Sequence, residues 1–354
     1  MGTVLRLPFE ALQSIPGGVN EVTLYYDDLL DCQRVGKRLD LKMAEASAVP
    51  EASTLKSINH DNVVEVVSAV KVDDPRYDSL MDVIEIVTPF YSDGSITDAL
   101  LAGRVFSTRE AMLTMQAALR GLRELHVQHK ILHRDVKSGN ILLDKAPVYA
   151  VVADIGVAGL MDASGSAFAA NNPTLYSPPE LLTTGVLTAS SDIYSMGLIM
   201  SELLGGAFDY GSYKRGAVEE SLQRGESPLT EQDFQLPVWA PTALRKVHTR
   251  ATASDPKRRY QSAKLMDDAI GALRLANWEQ VGESAWQATG PGRSPRVFKV
   301  EATPQPSGDY VLALKKATGK TWRRPQYQTD IRVATLEDSG ARAVFDTANA
   351  LAIG

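Results

Sequence analysis

The spacing of apolar residues changes along this chain and divides it into three textures. Over residues 22–26, 63–70 and 81–87, β-branched and aromatic residues crowd into short runs, which predicts strands, with one helical interruption before residue 90. From residue 97 the period becomes helical. Met112, Met115, Leu119, Leu122 and Leu125 recur every three or four positions, which predicts an amphipathic helix over 108–128. Ser107 or Thr108 is its expected N-cap, with Glu110 or Glu124 on the wet face. Further helices are expected at 192–204, 217–224, 241–253 and 262–275. Beyond residue 276, clusters of Pro, Gly, Ser and Thr separate extended runs at 296–302, 310–315, 330–335 and 343–346. The expected fold class is α+β: a β-rich first part, a helical second part and a small β-rich C-terminal module.

Composition narrows the function classes. At 354 residues with 44% hydrophobic and 23% charged side chains, the chain is an ordinary globular protein with room for about two domains. The single cysteine, Cys32, forms no internal disulfide, and the five histidines show no zinc-ligand spacing. A net charge of -6 opposes bulk attraction to nucleic acid or anionic membranes. That acidity is uneven, with 27 basic and 35 acidic residues in 1–275 against 10 and 8 in 276–354. The start reaches Pro8 and Glu10 before any long apolar stretch, and the apolar stretch 193–204 is short and interrupted by Ser195, Ser201 and Glu202. A cytoplasmic protein with no membrane partner is expected.

Chemistry concentrates after the helix at 108–128. His133-Arg134-Asp135-Val136-Lys137-Ser138-Gly139-Asn140 is followed, fourteen residues beyond Asn140, by Asp154-Ile155-Gly156 behind an apolar run. Ser177-Pro178-Pro179-Glu180, then Ser191-Asp192 leading to Gly197, then Asp255-Pro256-Lys257-Arg258-Arg259 complete an ordered series. The series resembles the catalytic loop (H-R-D-x-K-x-x-N), D-F-G, A-P-E and later helical elements of the protein kinase family, in family order. The resemblance covers about residues 10–272 and implies a two-lobed kinase domain over 1–275, with a β-rich N-lobe over 1–90 and a helical C-lobe over 91–275. Residues 276–354 form the accessory module.

Phosphoryl transfer needs an in-line hydroxyl, neutralised phosphate charge and little covalent help from the protein. The resemblance implies that Asp135 orients the acceptor hydroxyl, that Asn140 and Asp154 hold Mg²⁺ against ATP, and that Lys137 stands beside the γ-phosphate in the serine/threonine-kinase pattern. Arg34-Val35-Gly36-Lys37 lines up with V-A-x-K and places Lys37 as partner of the helix glutamate Glu51, with Lys42 as the rival lysine. Gly17, Gly18 and Val22 fall in the phosphate-covering loop, where only the middle glycine of G-x-G-x-x-G is kept. Thr88 falls at the gatekeeper position, and Pro89 and Tyr91 on the hinge segment that would meet the adenine edge. Proline at 89 is tolerable there because the position needs only an acceptor.

Two features concern regulation. Arg134 implies a phosphate partner on the activation segment, where Ser164, Ser166, Thr174 and Ser177 are acceptors, and autophosphorylation within 164–174 is expected. The threonine that bridges catalytic aspartate and lysine in the family falls on Pro173, with Thr174 as replacement after a one-residue shift. Glu180 and Arg259 are expected to form a buried ion pair. In the module, Trp278, Trp286 and Trp322, the last beside Arg323 and Arg324, suit a core first, then a protein partner, and less well a nucleic acid. An active serine/threonine protein kinase acting on protein Ser/Thr hydroxyls is the leading reading; a nucleotide-binding pseudokinase scaffold is the alternative. The Pro179-Glu180, Asp192 and Arg259 elements stand against a small-molecule kinase of the aminoglycoside phosphotransferase type. The compact kinase part, without long insertions, resembles bacterial or phage enzymes by analogy alone.

Overall fold

A computed structural model describes residues 9–15, 21–40, 56–72, 83–144, 149–155, 157–170, 172–326 and 328–354. Strands β1 (Phe9–Ile15), β2 (Val22–Asp27), β3 (Cys32–Asp40), β4 (Ser68–Lys71) and β5 (Val83–Pro89) form an antiparallel sheet in the order β1-β2-β3-β5-β4. Its register sets Val22 opposite Lys37, Lys37 opposite Ile86, and Val35 opposite Thr88. Because strand neighbours alternate faces, Gly36 faces away from Lys37. A Cβ there would lie 2.2 Å from Glu85 Oε1, so glycine lets the Glu85 carboxylate pack on β3 and receive Arg38 Nε at 3.0 Å.

The strand expected over 63–70 is shorter. Only Ser68–Lys71 joins the sheet, whereas Val63 bridges Val152, and Val64 N–H donates to Val152 O at 2.9 Å. Val63, Val64 and Val66 are buried against the helical lobe. Their apolar character serves an interlobe contact, which period alone cannot distinguish from a strand.

The helical lobe begins with α1 (Ile96–Leu101) and α2 (Thr108–Val127). Ser107 caps α2, and Glu110, expected on its wet face, reaches back to the Ser107 N–H at 2.9 Å in a capping box. Short strands β6 (Ile131–Leu132), β7 (Ile141–Asp144), β8 (Tyr149–Val152), β9 (Gly159–Leu160) and β10 (Ser166–Phe168) carry the loops between them. Then come α3 (Glu180–Thr183), β11 (Val186–Thr188), α4 (Ala189–Gly205), α5 (Arg215–Gln223), α6 (Glu231–Phe234), α7 (Thr242–Ala251) and α8 (Ala263–Gly271). Helix α4 is buried on every side from Ser190 to Leu204, the state its apolar composition demands.

Strands β12 (Asn277–Gly282), β13 (Ala285–Thr289), β14 (Val297–Pro304), β15 (Tyr310–Thr318) and β16 (Thr321–Arg323) follow in antiparallel order, and β17 (Ile331–Val333) pairs with the start of β15. The run at 343–346, expected to be extended, lies inside helix α9 (Ser339–Ile353). Ala341, Val344, Phe345, Ala348 and Ala352 are its buried face, a helical spacing that a four-residue window hides.

Trp278 and Trp286 pack on Phe345 at centroid distances of 5.6 and 5.3 Å, while Trp322 stays at the surface under the Lys299 ammonium. Trp278 also stacks on Trp239 of the helical lobe at 6.3 Å, so sheet and lobe share one core. Polar contacts cross the same seam. Arg109 N–H at the start of α2 donates to Asn277 Oδ1 at 2.9 Å, and Thr242 N–H at the start of α7 donates to Asp346 Oδ1 at 2.8 Å. Buried Asn349 accepts from Ala276 N–H at 2.9 Å. Replacing Asn349 with alanine leaves that donor unsatisfied and is expected to cost about 1–3 kcal/mol, measured as a lower urea midpoint.

Candidate functional site

Asp192, in the first turn of α4, organises the loop before Asp135. Its carboxylate accepts the backbone N–H groups of His133 at 3.0 Å and Arg134 at 3.1 Å, and lies 2.7 Å from His126 Nε2. Burial opposes its ionisation, but the hydrogen bonds from the His126 ring and the His133 backbone N–H hold the carboxyl below the ordinary carboxylate range. Arg134 sits at φ 63°, a left-handed conformation that these contacts maintain. His133 Nε2 meets Ala153 O at 2.9 Å, and its Nδ1 accepts Asp135 N–H at 3.3 Å, so one Nε2–H tautomer serves both contacts.

This framework gathers the predicted polar side chains. Lys137 Nζ donates to Asp135 Oδ2 at 2.7 Å, and Asn140 Nδ2 donates to the same oxygen at 3.0 Å and to Asp135 O at 2.8 Å. Ala153 N–H donates to Asn140 O at 2.9 Å, tying the strand that precedes Asp154 to the loop. Asp154, at φ 59°, is ion-paired with Lys37 from β3, which joins the two lobes. Burial alone would raise the Asp154 pKa; the Lys37 ammonium, with His133 and Lys137, holds it below the ordinary value. Asn140 uses its NH₂ on Asp135, so its amide oxygen, together with the Asp154 carboxylate that Lys37 pairs, supplies the hard oxygen donors a divalent cation takes. Among the described residues no three His, Cys, Asp or Glu side chains group as a metal site. Two oxygen ligands completed by phosphates are the usual environment of Mg²⁺, so the residues fit it.

Val22 lies across from Lys37, and Thr88 and Pro89 end β5 beside Val35 and Arg34. Tyr91 closes the following turn through its carbonyl, which accepts Gly94 N–H at 3.0 Å. Burial pushes its phenol up to about 12, with Asp144 and Glu65 adding to the effect. Gly17, Gly18, Lys42 and Glu51 lie outside the described residues.

In the activation segment, Arg134 and Thr174 both have local partners. The Arg134 guanidinium donates to the backbone carbonyls of Val157 at 2.5 Å, Phe168 at 2.6 Å and Ala158 at 3.0 Å, engaging on main chain the fork expected to meet phosphate. A Cβ on Gly159 would stand 2.8 Å from its Cζ, so only glycine admits this approach. Thr174, expected to bridge Asp135 and Lys137, instead accepts Tyr176 N–H at 3.2 Å and lies 3.3 Å from Ser177 Oγ. Its own N–H donates to Ser177 Oγ at 2.8 Å, a local turn that holds its hydroxyl there.

One buried network has no counterpart among the sequence motifs. Tyr176 OH donates to Glu202 Oε2 at 2.8 Å and lies 2.7 Å from Ser138 Oγ, which in turn is 2.6 Å from Thr97 Oγ1. It anchors the short turn between Lys137 and Asn140 to α4. Burial raises the Glu202 pKa, against the lowering effect of hydrogen bonds from Tyr210 and Tyr176. The polar breaks in the apolar stretch 193–204 were its signal: Ser195 Oγ donates to Tyr176 O at 2.8 Å, and Ser201 Oγ to Phe234 O at 2.8 Å. The expected Glu180–Arg259 pair is bidentate, at 2.6 and 2.7 Å, with Ser191 Oγ donating to Glu180 at 2.8 Å.

A β-rich N-terminal sheet hinged to a helical lobe, with a lysine, two aspartates and an asparagine between them, is the architecture of a protein kinase. The protein kinase domain family matches residues 18–269, and the chain belongs to that family. It is 27% identical over 266 residues to the serine/threonine-protein kinase PrkC of Bacillus subtilis (strain 168), covering 72% of this chain and 38% of that protein. It is 26% identical over 280 residues to the protein STRUBBELIG-RECEPTOR FAMILY 3 of Arabidopsis thaliana, covering 73% of this chain and 34% of that protein. The chain thus spans little more than a third of the length of these curated relatives. Among the described residues no helix is long and apolar enough to cross a membrane.

Proposed function

We propose that this protein transfers the γ-phosphate of Mg-ATP to serine and threonine hydroxyls of proteins. The observation that carries the reading is the convergence of Lys37–Asp154 with Lys137–Asp135–Asn140 at the junction of the lobes. Asp135 orients the acceptor hydroxyl and takes its proton as the hydroxyl oxygen bonds to the γ-phosphorus; the bond from that phosphorus to the β–γ bridging oxygen breaks, and ADP departs. Lys137 balances charge on the transferred group, and the Lys37 ammonium, paired with Asp154 here, would be aimed at the α- and β-phosphates, with Glu51 as its proposed second partner. Asn140 and Asp154 would hold Mg²⁺, which when bound neutralises charge developing on the bridging oxygen. Thr88, Pro89 and Tyr91 are the residues proposed to meet the adenine edge, and Gly17, Gly18 and Val22 those proposed for the phosphate-covering loop.

Autophosphorylation belongs to the same proposal. Ser164 is exposed and Ser166 half-buried, both bound to the Asp162 carboxylate, whereas Ser177 is buried. Mass spectrometry after incubation with Mg-ATP should place phosphate within residues 164–174; phosphate found only elsewhere refutes this part. The alternative, a nucleotide-binding scaffold without transfer, draws on the Thr174 hydroxyl being committed to Tyr176.

The deciding assay is transfer of labelled phosphate to the protein itself and to a generic basic protein. Wild type should label serine and threonine, and Lys37→Ala should lower kcat/KM about 10²-fold, as loss of one oriented charge contact does. Absence of wild-type labelling in the presence of measurable ATP binding supports the scaffold.

A further inference from the structure

A second cationic site lies away from the interlobe cleft. An open cavity of about 620 Å³ is lined by Arg245, Lys246 and Arg250 of α7, by Arg258 from the turn after it, and by Arg342 of α9. None of the residues gathered around Asp135 lines it. Five cationic side chains converging on one concavity is unexpected for a chain of net charge -6.

The convergence is built by the fold. Asp346 of α9 accepts the Thr242 N–H at 2.8 Å, which pins α9 across the start of α7. Arg342 stands one turn before Asp346, so the same contact brings it to the mouth of the cavity. Arg245 is held in place by three main-chain acceptors, Ala240 O at 3.0 Å, Leu236 O at 3.2 Å and Pro237 O at 2.5 Å. Burial, then the neighbouring charge of Arg342, lowers its pKa, while Asp346 opposes the shift. Lys246, Arg258 and Arg342 enter no ion pair among the described residues. Cations from both sides of the seam thus face one solvent space, with Asp346 of α9 and Asp338 at its N-cap as the nearby acidic groups.

We propose that this cavity is a binding site for a compact oligophosphate, whose adjacent phosphate groups bridge Arg342 of the C-terminal region to Arg245 and Lys246 of the kinase lobe. Guanidinium forks and an ammonium suit phosphate oxygens, and the volume lies in the range of small-molecule sites. The aromatic rings at hand are already engaged: Phe234 meets His248 edge-on at 5.5 Å, and Arg250 covers the Tyr260 ring at 4.3 Å. No free aromatic face among the cavity's described residues remains for a nucleobase, so recognition rests on phosphate alone. The site is independent of phosphoryl transfer in the cleft.

Calorimetric titration and thermal unfolding of the full chain with sodium tripolyphosphate test the site. Wild type and Lys37→Ala should bind with similar affinity and show a raised Tm. The double variant Lys246→Ala/Arg342→Ala should bind at least about tenfold more weakly and lose the shift. Without the anion its Tm should equal or exceed that of wild type, because a like-charge contact is gone. Inorganic phosphate should bind at least about tenfold more weakly than tripolyphosphate, since one group cannot span the seam. Undetectable binding, equal affinity in the double variant, or loss of binding in Lys37→Ala would each overturn the proposal, the last by placing the anion in the catalytic cleft. Equal affinity for phosphate and tripolyphosphate would overturn the bridging.

Discussion

Asp135→Asn is expected to lower the rate of phosphoryl transfer by about 10³- to 10⁴-fold while leaving nucleotide affinity within a few-fold of wild type. The substitution removes a charge and a proton acceptor but keeps the shape of the site. The amide oxygen still accepts from Lys137 and Asn140, which reach Oδ2 at 2.7 and 3.0 Å in the wild type. The Asn140 amide donates also to Asp135 O at 2.8 Å, so the turn through Ser138 stays closed. Single-turnover transfer with saturating Mg-ATP isolates the chemical step, and ATP titration supplies the affinity. A loss under about tenfold would remove Asp135 from the proton path and leave the wild type's turnover to another group.

The second large effect is structural. Arg259 is 1% exposed, and its guanidinium meets Glu180 through both oxygens while donating Nε–H to Ala253 O at 2.6 Å. Its ring contact with Tyr194, at 4.7 Å, adds a cation–π term. Arg259→Ala leaves the Glu180 carboxylate buried with only Ser191 as a polar side-chain partner, and about 3–5 kcal/mol of stability should be lost. Denaturant unfolding measures the loss, and the double variant Glu180→Leu/Arg259→Met should recover much of it, because no isolated charge remains. Recovery separates the cost of an orphaned ion from the worth of the pair. A loss near zero in Arg259→Ala would mean that water reaches Glu180.

How legible these features were in the sequence depended on what each residue answers to. The grouping within His133 to Asn140 was readable because residues a few positions apart in one short loop must lie near each other, and the geometry brings Asp135, Lys137 and Asn140 within hydrogen-bond reach. Helix α2 was readable because a single buried face imposes a helical period over five turns. Val63 to Val66 have the composition of a strand because a segment buried between two lobes is apolar whatever its backbone does. Helix α9 was missed since its alanines lend little contrast, and only a window longer than ten residues shows one buried stripe. The carbonyl contacts of Arg134 were not legible either, because every residue supplies a carbonyl oxygen, and Gly159 alone hints at the close approach. Thr174 shows the same limit, its hydroxyl captured by a local turn that residue type alone does not specify.

The caps donated by Asn277 and Asp346 have a bearing on how a disturbance travels. Each side chain stands at the amino end of a helix in the catalytic lobe, where unpaired N–H groups and the helix dipole make a carboxylate or amide oxygen most effective. Helix α2 leads into the loop that carries Asp135, and it starts on a strand of the C-terminal sheet. The catalytic lobe therefore takes two of its boundary conditions from the segment that follows it. One helix of 20 residues thus joins the C-terminal sheet to the loop that carries Asp135.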